Sequence, residues 1–145
     1  YDNVRIGQNS RLDTLQAAIL IEKLKIFPGE LDKRTSIAQR YSSLLEEVIR
    51  VPTILPGVTS AWAQYTLILD DRDNMQTSLR VAGVPSAVYY PIALSDQLGY
   101  QKYPSVSGGA NISKKLSKKV LSLPMHPYLS NVSQDRIVSE ILRNY

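Results

Sequence analysis

The sequence predicts an α+β domain with α/β alternation: two leading helices, then a small sheet of about three strands interleaved with helices. Three observations carry this prediction. Residues 15–50 place apolar side chains at helical spacing, interrupted only at Phe27-Pro28-Gly29. Three short runs follow at 61–69, 84–91 and 120–123, the first rich in β-branched and aromatic residues and all three bounded by turn or charge signals. Helix signals separate and follow these runs, so strand and helix alternate three times.

Each element has a local reason. Asp13 is a good N-cap, and Gln16 three residues on completes a capping-box pattern, so the first helix is expected to begin at Asp13. From Leu15 to Leu24 the text LQAAILIEKL carries apolar residues on more than one face, which predicts a helix packed on most sides. Phe27-Pro28-Gly29 is expected to end it. A second helix is expected over 30–50, with Leu31, Ile37, Ala38, Tyr41, Leu44, Leu45 and Val48 on its packed face. Pro52, Pro56 and Gly57 mark an irregular connection. AWAQYTLIL (61–69) reads as a strand ended by Asp70-Asp71. The short helix after it carries Met75, Leu79 and Ala82 and closes at Gly83, a suitable C′ residue. VPSAVYYP (84–91) reads as a second strand, and 92–110 as loop. A brief basic helix (112–119), the strand VLSL, the turn PMHP and a last helix capped by Ser133 complete the chain. Strand direction stays open.

Composition sets the bounds. At 145 residues with 43% hydrophobic content, the chain fits one globular domain with a real core. No apolar run approaches the roughly 20 residues of a membrane span, so no membrane partner is expected. The opening Tyr1-Asp2-Asn3 has neither Met nor an apolar leader, which predicts a piece cut from a longer protein without a secretory signal. The chain has no Cys and one His, so neither a disulfide, a Cys nucleophile nor a structural metal site is expected. A Cys-free chain fits the cytoplasm, the expected location.

Candidate chemistry is sparse. There is no Gly-rich phosphate loop, and no catalytic constellation is complete. His126 lies between Met125 and Pro127 and reads as a structural imidazole in a tight turn. Tyr89-Tyr90-Pro91 at a strand end reads as edge packing or as phenols lining a pocket. Lys114, Lys115, Lys118 and Lys119 hold much of the net charge of +4. Without interleaved aromatics they read as a solvated helix face rather than a nucleic-acid surface. The segment GQNSRLDTLQAAIL (7–20) crowds polar groups against a helix start. Either Asn9 and Ser10 shape a turn while Arg11 faces water, or the loop offers an anion a guanidinium and a helix N-terminus.

That segment resembles the G-x-N-x-R-(L/M)-x-x-(L/I)-Q-A-A motif of the DegT-type sugar aminotransferases. These enzymes use pyridoxal phosphate (PLP) on the aspartate-aminotransferase fold. The resemblance continues in order through Arg40-Tyr41 to Leu45, SAWAQYTLIL, AGVPSAVYYP and VLSLPMHPYL (120–129), and so covers essentially the whole chain.

The resemblance implies the C-terminal portion of a longer enzyme: 1–145 as a single domain, with leading helices over 1–50 and a small α/β subdomain over 51–145. It implies a homodimer in which Asn9 reaches across to hydrogen-bond the cofactor phosphate of the other subunit. Arg11 would lie near the acidic part of the sugar, and Tyr89 and Tyr90 beside the substrate. It implies transfer of an amino group from glutamate to a nucleotide-linked ketosugar for surface polysaccharides. No lysine here occupies the context of the family's cofactor-anchoring lysine, so the chain alone is expected to hold no catalytic residue and to be inactive. Tyr89 stands where the family often has His, and Ser95 where a second His often follows. The wording is most similar to members that aminate UDP-linked keto-N-acetylglucosaminuronic acid. The other reading is a non-catalytic α/β interaction module whose Lys-rich face binds an acidic partner or nucleic acid.

Overall fold

The Asp13 carboxylate accepts the Gln16 N–H at 2.8 Å and starts α1 (Thr14–Leu45) where the cap signal predicts. The computed structural model describes residues 4–7 and 11–145. It continues through β1 (Tyr65–Ile68), α2 (Arg72–Val81), a 3-10 turn (Leu94–Asp96), α3 (Asn111–Ser117), β2 (Val120–Leu123) and α4 (Asn131–Asn144).

The expected break at Pro28 does not occur. α1 is one helix of 32 residues with Pro28 inside it, and it ends at Leu45 rather than at Arg50. A proline costs a helix its own N–H donor and crowds the carbonyl four residues back, but its fixed φ is already helical. The turns that follow are tied down by packing, since Ile37, Ala38, Tyr41 and Leu45 are all buried. Packing therefore outweighs the local penalty. The first half of α1 differs from its expected burial: Leu15 is 74% exposed, Ile21 60% and Leu24 61%. Its apolar faces are uncovered by the described part of the chain.

The sheet is smaller than the three strands expected. β1 and β2 pair antiparallel, with Tyr65 opposite Leu123 and Ile68 opposite Val120. The run 84–91 contributes a single bridge, in which Ala87 and Ser122 exchange both backbone hydrogen bonds at 3.0 and 2.7 Å. Pro85 and Pro91 carry no N–H, so this run cannot propagate a ladder. A second bridge joins Arg50 to Ile68. The run 61–69 also shortens at its start, because Trp62 sits at φ 46° and turns the chain out of the extended region.

Caps govern the later helices. Asp71 caps α2 by accepting the Asn74 N–H at 3.3 Å. Gly83, at φ 71°, closes α2 as expected: its N–H reaches the Arg80 carbonyl and the Val84 N–H the Leu79 carbonyl. That is the Schellman pattern, with buried Val84 and Leu79 as its apolar pair. α4 starts earlier than expected. Its cap is Ser130, whose Oγ accepts the Ser133 N–H at 3.1 Å, so Ser133 is the third helical residue rather than the cap.

The core gathers α1, α2, α4 and the two strands around Tyr41, Leu45, Tyr65, Leu67, Leu79, Leu121 and Ile141. Two phenols are buried in it. Tyr41 donates to the Pro124 carbonyl at 3.1 Å, and the Tyr65 hydroxyl shares a 2.9 Å hydrogen bond with Ser42. Burial pushes both phenols above the ordinary tyrosine range. A raised folded-state pKa on an acid adds stability that is complete below the unfolded value and lost as pH rises past it. Stability should therefore fall as pH climbs above about 10, the ordinary tyrosine value. In an ultraviolet titration, Tyr41 and Tyr65 should ionise only as the fold is lost. Ionisation of all nine tyrosines with native circular dichroism intact would contradict this. Among the described residues, no helix is long and apolar enough to cross a membrane.

Candidate functional site

The bridge from Ala87 to Ser122 decides where the tyrosine pair lies. It holds 85–89 alongside β2, so Tyr89 faces the turn Pro124-Met125-His126-Pro127 that leaves the strand. Between them opens a cleft of about 250 Å³ lined by Gln64, Ser86, Tyr89, Ser122, Pro124 and Met125, among others. Ser122 Oγ is engaged with Thr66 Oγ1 at 2.8 Å. Among the described residues, the lining holds amide, hydroxyl and phenol groups over apolar walls, and no charged side chain. Such a surface can hydrogen-bond a neutral polar ligand group. It supplies no counter-charge, so an anionic ligand needs partners from elsewhere.

Tyr90 does not line this cleft. It is exposed, with its ring edge-on to Tyr89 at 5.8 Å between centroids, and the peptide between the two residues is cis. The run 84–91 thus presents one phenol to the cleft and one to solvent. His126 is exposed and shapes the turn as expected, its Nδ1 accepting the Tyr128 N–H at 3.3 Å. Ser95 lies in the 3-10 turn and borders a separate hollow of about 350 Å³ with Tyr100, Tyr103 and Lys114.

Arg11 is exposed, three residues before α1. Some 23 helical residues separate the helix start from its first buried side chain at Ile37, about 35 Å along the axis. The structure therefore does not bring Arg11 to the Tyr89 cleft of the same chain. Asn9 and Ser10 lie outside the described residues. The lysine cluster is partly neutralised: Lys114 pairs with Asp96 at 2.6 Å, and Lys119 with Asp70, whose carboxyl it holds below the usual carboxylate range. This face is not an unopposed cationic patch, which leaves the interaction-module reading without support.

Sequence reasoning singled out Tyr89 but passed over Gln64, Ser86 and Ser122. These residues look ordinary in the text, and only the pairing of three distant segments makes them neighbours.

The pattern of the DegT/DnrJ/EryC1/StrS aminotransferase family matches residues 1–142, nearly the entire chain. The chain belongs to this family. Among curated members, it is 45% identical over 137 residues to the UDP-2-acetamido-2-deoxy-3-oxo-D-glucuronate aminotransferase of Pseudomonas aeruginosa. That alignment takes in 92% of this chain and 36% of the relative. Among solved structures, a DegT/DnrJ/EryC1/StrS aminotransferase from Brucella abortus superposes with a TM-score of 0.88 at 48% identity, covering 99% of this chain and 38% of that one. NtdA from Bacillus subtilis, solved with bound cofactor PMP, superposes with a TM-score of 0.72 at 29% identity, covering 94% and 33%. The chain thus spans little more than a third of the length of the family members it matches.

Ahead of α1 the sequence offers side chains whose chemistry suits a phosphate-bearing group. The Arg11 guanidinium and the Asn9 amide are suitable donors to a phosphate or carboxylate, and the first turn of α1 carries no acidic residue beyond its cap. Among the described residues, no lysine lines the cleft.

Proposed function

We propose that this chain is the C-terminal part of a PLP-dependent aminotransferase. The enzyme moves an amino group from glutamate to a nucleotide-linked ketosugar, and the best candidate is a UDP-linked 3-keto-N-acetylglucosaminuronic acid destined for surface polysaccharide. The observation that carries this reading is the 45% identity to the Pseudomonas aeruginosa enzyme over 92% of the chain. Residues 1–50 are the leading segment and 51–145 the small subdomain of one domain. The whole protein is a cytoplasmic homodimer.

When bound, the cofactor supplies an electron sink and carries the amino group between the two substrates. The residues of this chain bind and orient. The uncharged cleft at Tyr89 suits the neutral hydroxyl and amide groups of a sugar. Asn9 would donate to the cofactor phosphate across the dimer, and Arg11 would pair there with the sugar carboxylate. The reach of α1 supports this arrangement, since its start stands far from its own cleft. The uncovered apolar faces at Leu15, Ile21 and Leu24 fit a helix that lies against the remainder of the polypeptide and the partner subunit.

The anchoring lysine belongs outside this chain. Lys25 pairs with Glu22 at 2.7 Å, Lys33 lies over the Tyr128 ring, Lys102 over Tyr103, and Lys114 and Lys119 face aspartates.

The test is steady-state kinetics and cofactor release in the full-length enzyme. Asn9→Ala should release the cofactor about tenfold faster or more, as for loss of a hydrogen bond to a charged group. Arg11→Ala should instead raise the KM for the sugar about tenfold with kcat little changed, because a carboxylate contact is present before and during reaction. Arg11→Lys should rescue poorly if the contact is bidentate. Sugar kinetics indifferent to Arg11→Ala would remove the uronic-acid assignment, and absence of amino transfer to any nucleotide-linked ketosugar would sink the whole reading.

A further inference from the structure

The turn that forms one wall of the cleft is fastened to α1 at both ends. At its start, the Pro124 carbonyl accepts from the buried Tyr41 hydroxyl at 3.1 Å. Past its end, the Tyr128 hydroxyl donates to Glu30 Oε1 at 2.7 Å, and Lys33 Nζ lies 5.2 Å from the centre of the same ring. The two fastenings use residues eleven apart on one helix, about 16 Å along its axis. Between them stand Met125, which lines the cleft, and His126, which the turn holds at the surface. The outer fastening, at Glu30, directly follows Pro28-Gly29, beyond which the N-terminal half of α1 is mostly exposed.

We infer that Tyr128 is a positioning residue for the substrate cleft: its hydrogen bond to Glu30, beneath the Lys33 ammonium, sets the Pro124–Met125 wall that faces Tyr89. This rests on the aminotransferase reading for what the cleft binds, though not for the fastening itself. The bond is charge-assisted, and such bonds are shorter and stronger than neutral ones. Hydrogen bonding to Glu30 also raises the phenol above the ordinary tyrosine range, so it remains a donor throughout neutral pH. Tyr128 is exposed and Glu30 only half-buried, neither belongs to the core cluster, and the domain's stability therefore rests on the core rather than on this pair. The consequence of losing the bond is a wall free to shift relative to Tyr89, felt equally by bound substrate and transition state.

Kinetics of the full-length enzyme separate positioning from support. Tyr128→Phe keeps the ring under Lys33 and deletes only the donor. It should raise the KM for the sugar about fivefold with kcat within about twofold, the pattern of lost uniform binding. The melting temperature should stay unchanged. Glu30→Ala should reproduce that KM, Glu30→Gln should recover most of it by keeping an acceptor, and the double variant Tyr128→Phe/Glu30→Ala should be no worse than either single change. An unaltered KM overturns the inference, and so does a KM change that tracks a fall in melting temperature. Hydrogen exchange reads the fastening without any activity. The amides of Tyr128 and Leu129, both bonded to His126, should exchange about fivefold faster in Tyr128→Phe while the β1 amides keep their protection. Unchanged exchange overturns the inference even if the sugar reading holds, and faster exchange in a protein that aminates no sugar leaves the fastening standing while that reading falls.

Discussion

Tyr41→Ala should be the most damaging single truncation in this domain, at about 3–5 kcal/mol, the range for removing a large aromatic side chain from a packed core. Tyr41 is fully buried at the meeting of α1 and the sheet, its ring 5.0 Å from that of Tyr65, which in turn stacks 5.8 Å from Trp62. Truncation opens a cavity among three aromatic rings and leaves the Pro124 carbonyl without its donor. Tyr41→Phe isolates the second effect. It keeps the packing and should cost about 1–2 kcal/mol, the penalty for one partly buried polar group left unpaired. Urea unfolding followed by fluorescence measures both, because the one tryptophan of the chain lies in this cluster. A loss below about 1 kcal/mol for Tyr41→Ala would show that the site collapses around the gap and that the ring is not central to the core.

Gln134→Glu should be nearly as severe at neutral pH, and its effect should depend on acidity. Gln134 has no exposed surface. Its Nε2 donates to the Ile37 carbonyl at 2.7 Å, and its Oε1 accepts from Arg40 at 3.4 Å. The change replaces that donor with a carboxylate oxygen aimed at a carbonyl in a dry site. Arg40 offsets this only in part, because its guanidinium is already held by Asp135 at 2.6 Å. Burial without a donor raises a carboxyl's pKa. The variant should therefore keep near-normal stability below the ordinary Glu value of about 4.3, where the protonated acid can again donate to Ile37. Stability should then fall by about 3 kcal/mol as pH rises through the raised folded-state value. Gln134→Met keeps the volume and should lose about 1–2 kcal/mol at every pH. Equal losses for the two variants across pH 4 to 8, the range bracketing ordinary and raised carboxyl values, would mean that water or Arg40 solvates the new charge.

Local chemistry made much of this domain legible in its text. Asp13 and Gly83 mark helix ends by what a cap oxygen and a left-handed backbone require of one residue, so neither depends on distant partners. The same holds for VLSL as a strand and for the spacing of Met75 and Leu79 on α2. The ordered motifs from GQNSRLDTLQAAIL to LSLPMHP identified the family without any structure. Features set by long-range partners were not legible. Pro28 looks like a helix end, but Ile37, Ala38 and Tyr41 are gripped by β-strands and α4, and that grip carries α1 through. VPSAVYYP looks like a strand, but its prolines confine it to the one bridge that Ser122 offers. Ser133 looks like a cap, yet Ser130 takes the role because the preceding turn delivers it at the right φ and ψ. The antiparallel pairing of Tyr65 with Leu123, the burial of Gln134 and the meeting of Tyr89 with Met125 each join residues far apart in the chain. A residue's own chemistry decides how its backbone bends. Whether that residue is covered, and by what, belongs to the packing of the whole domain.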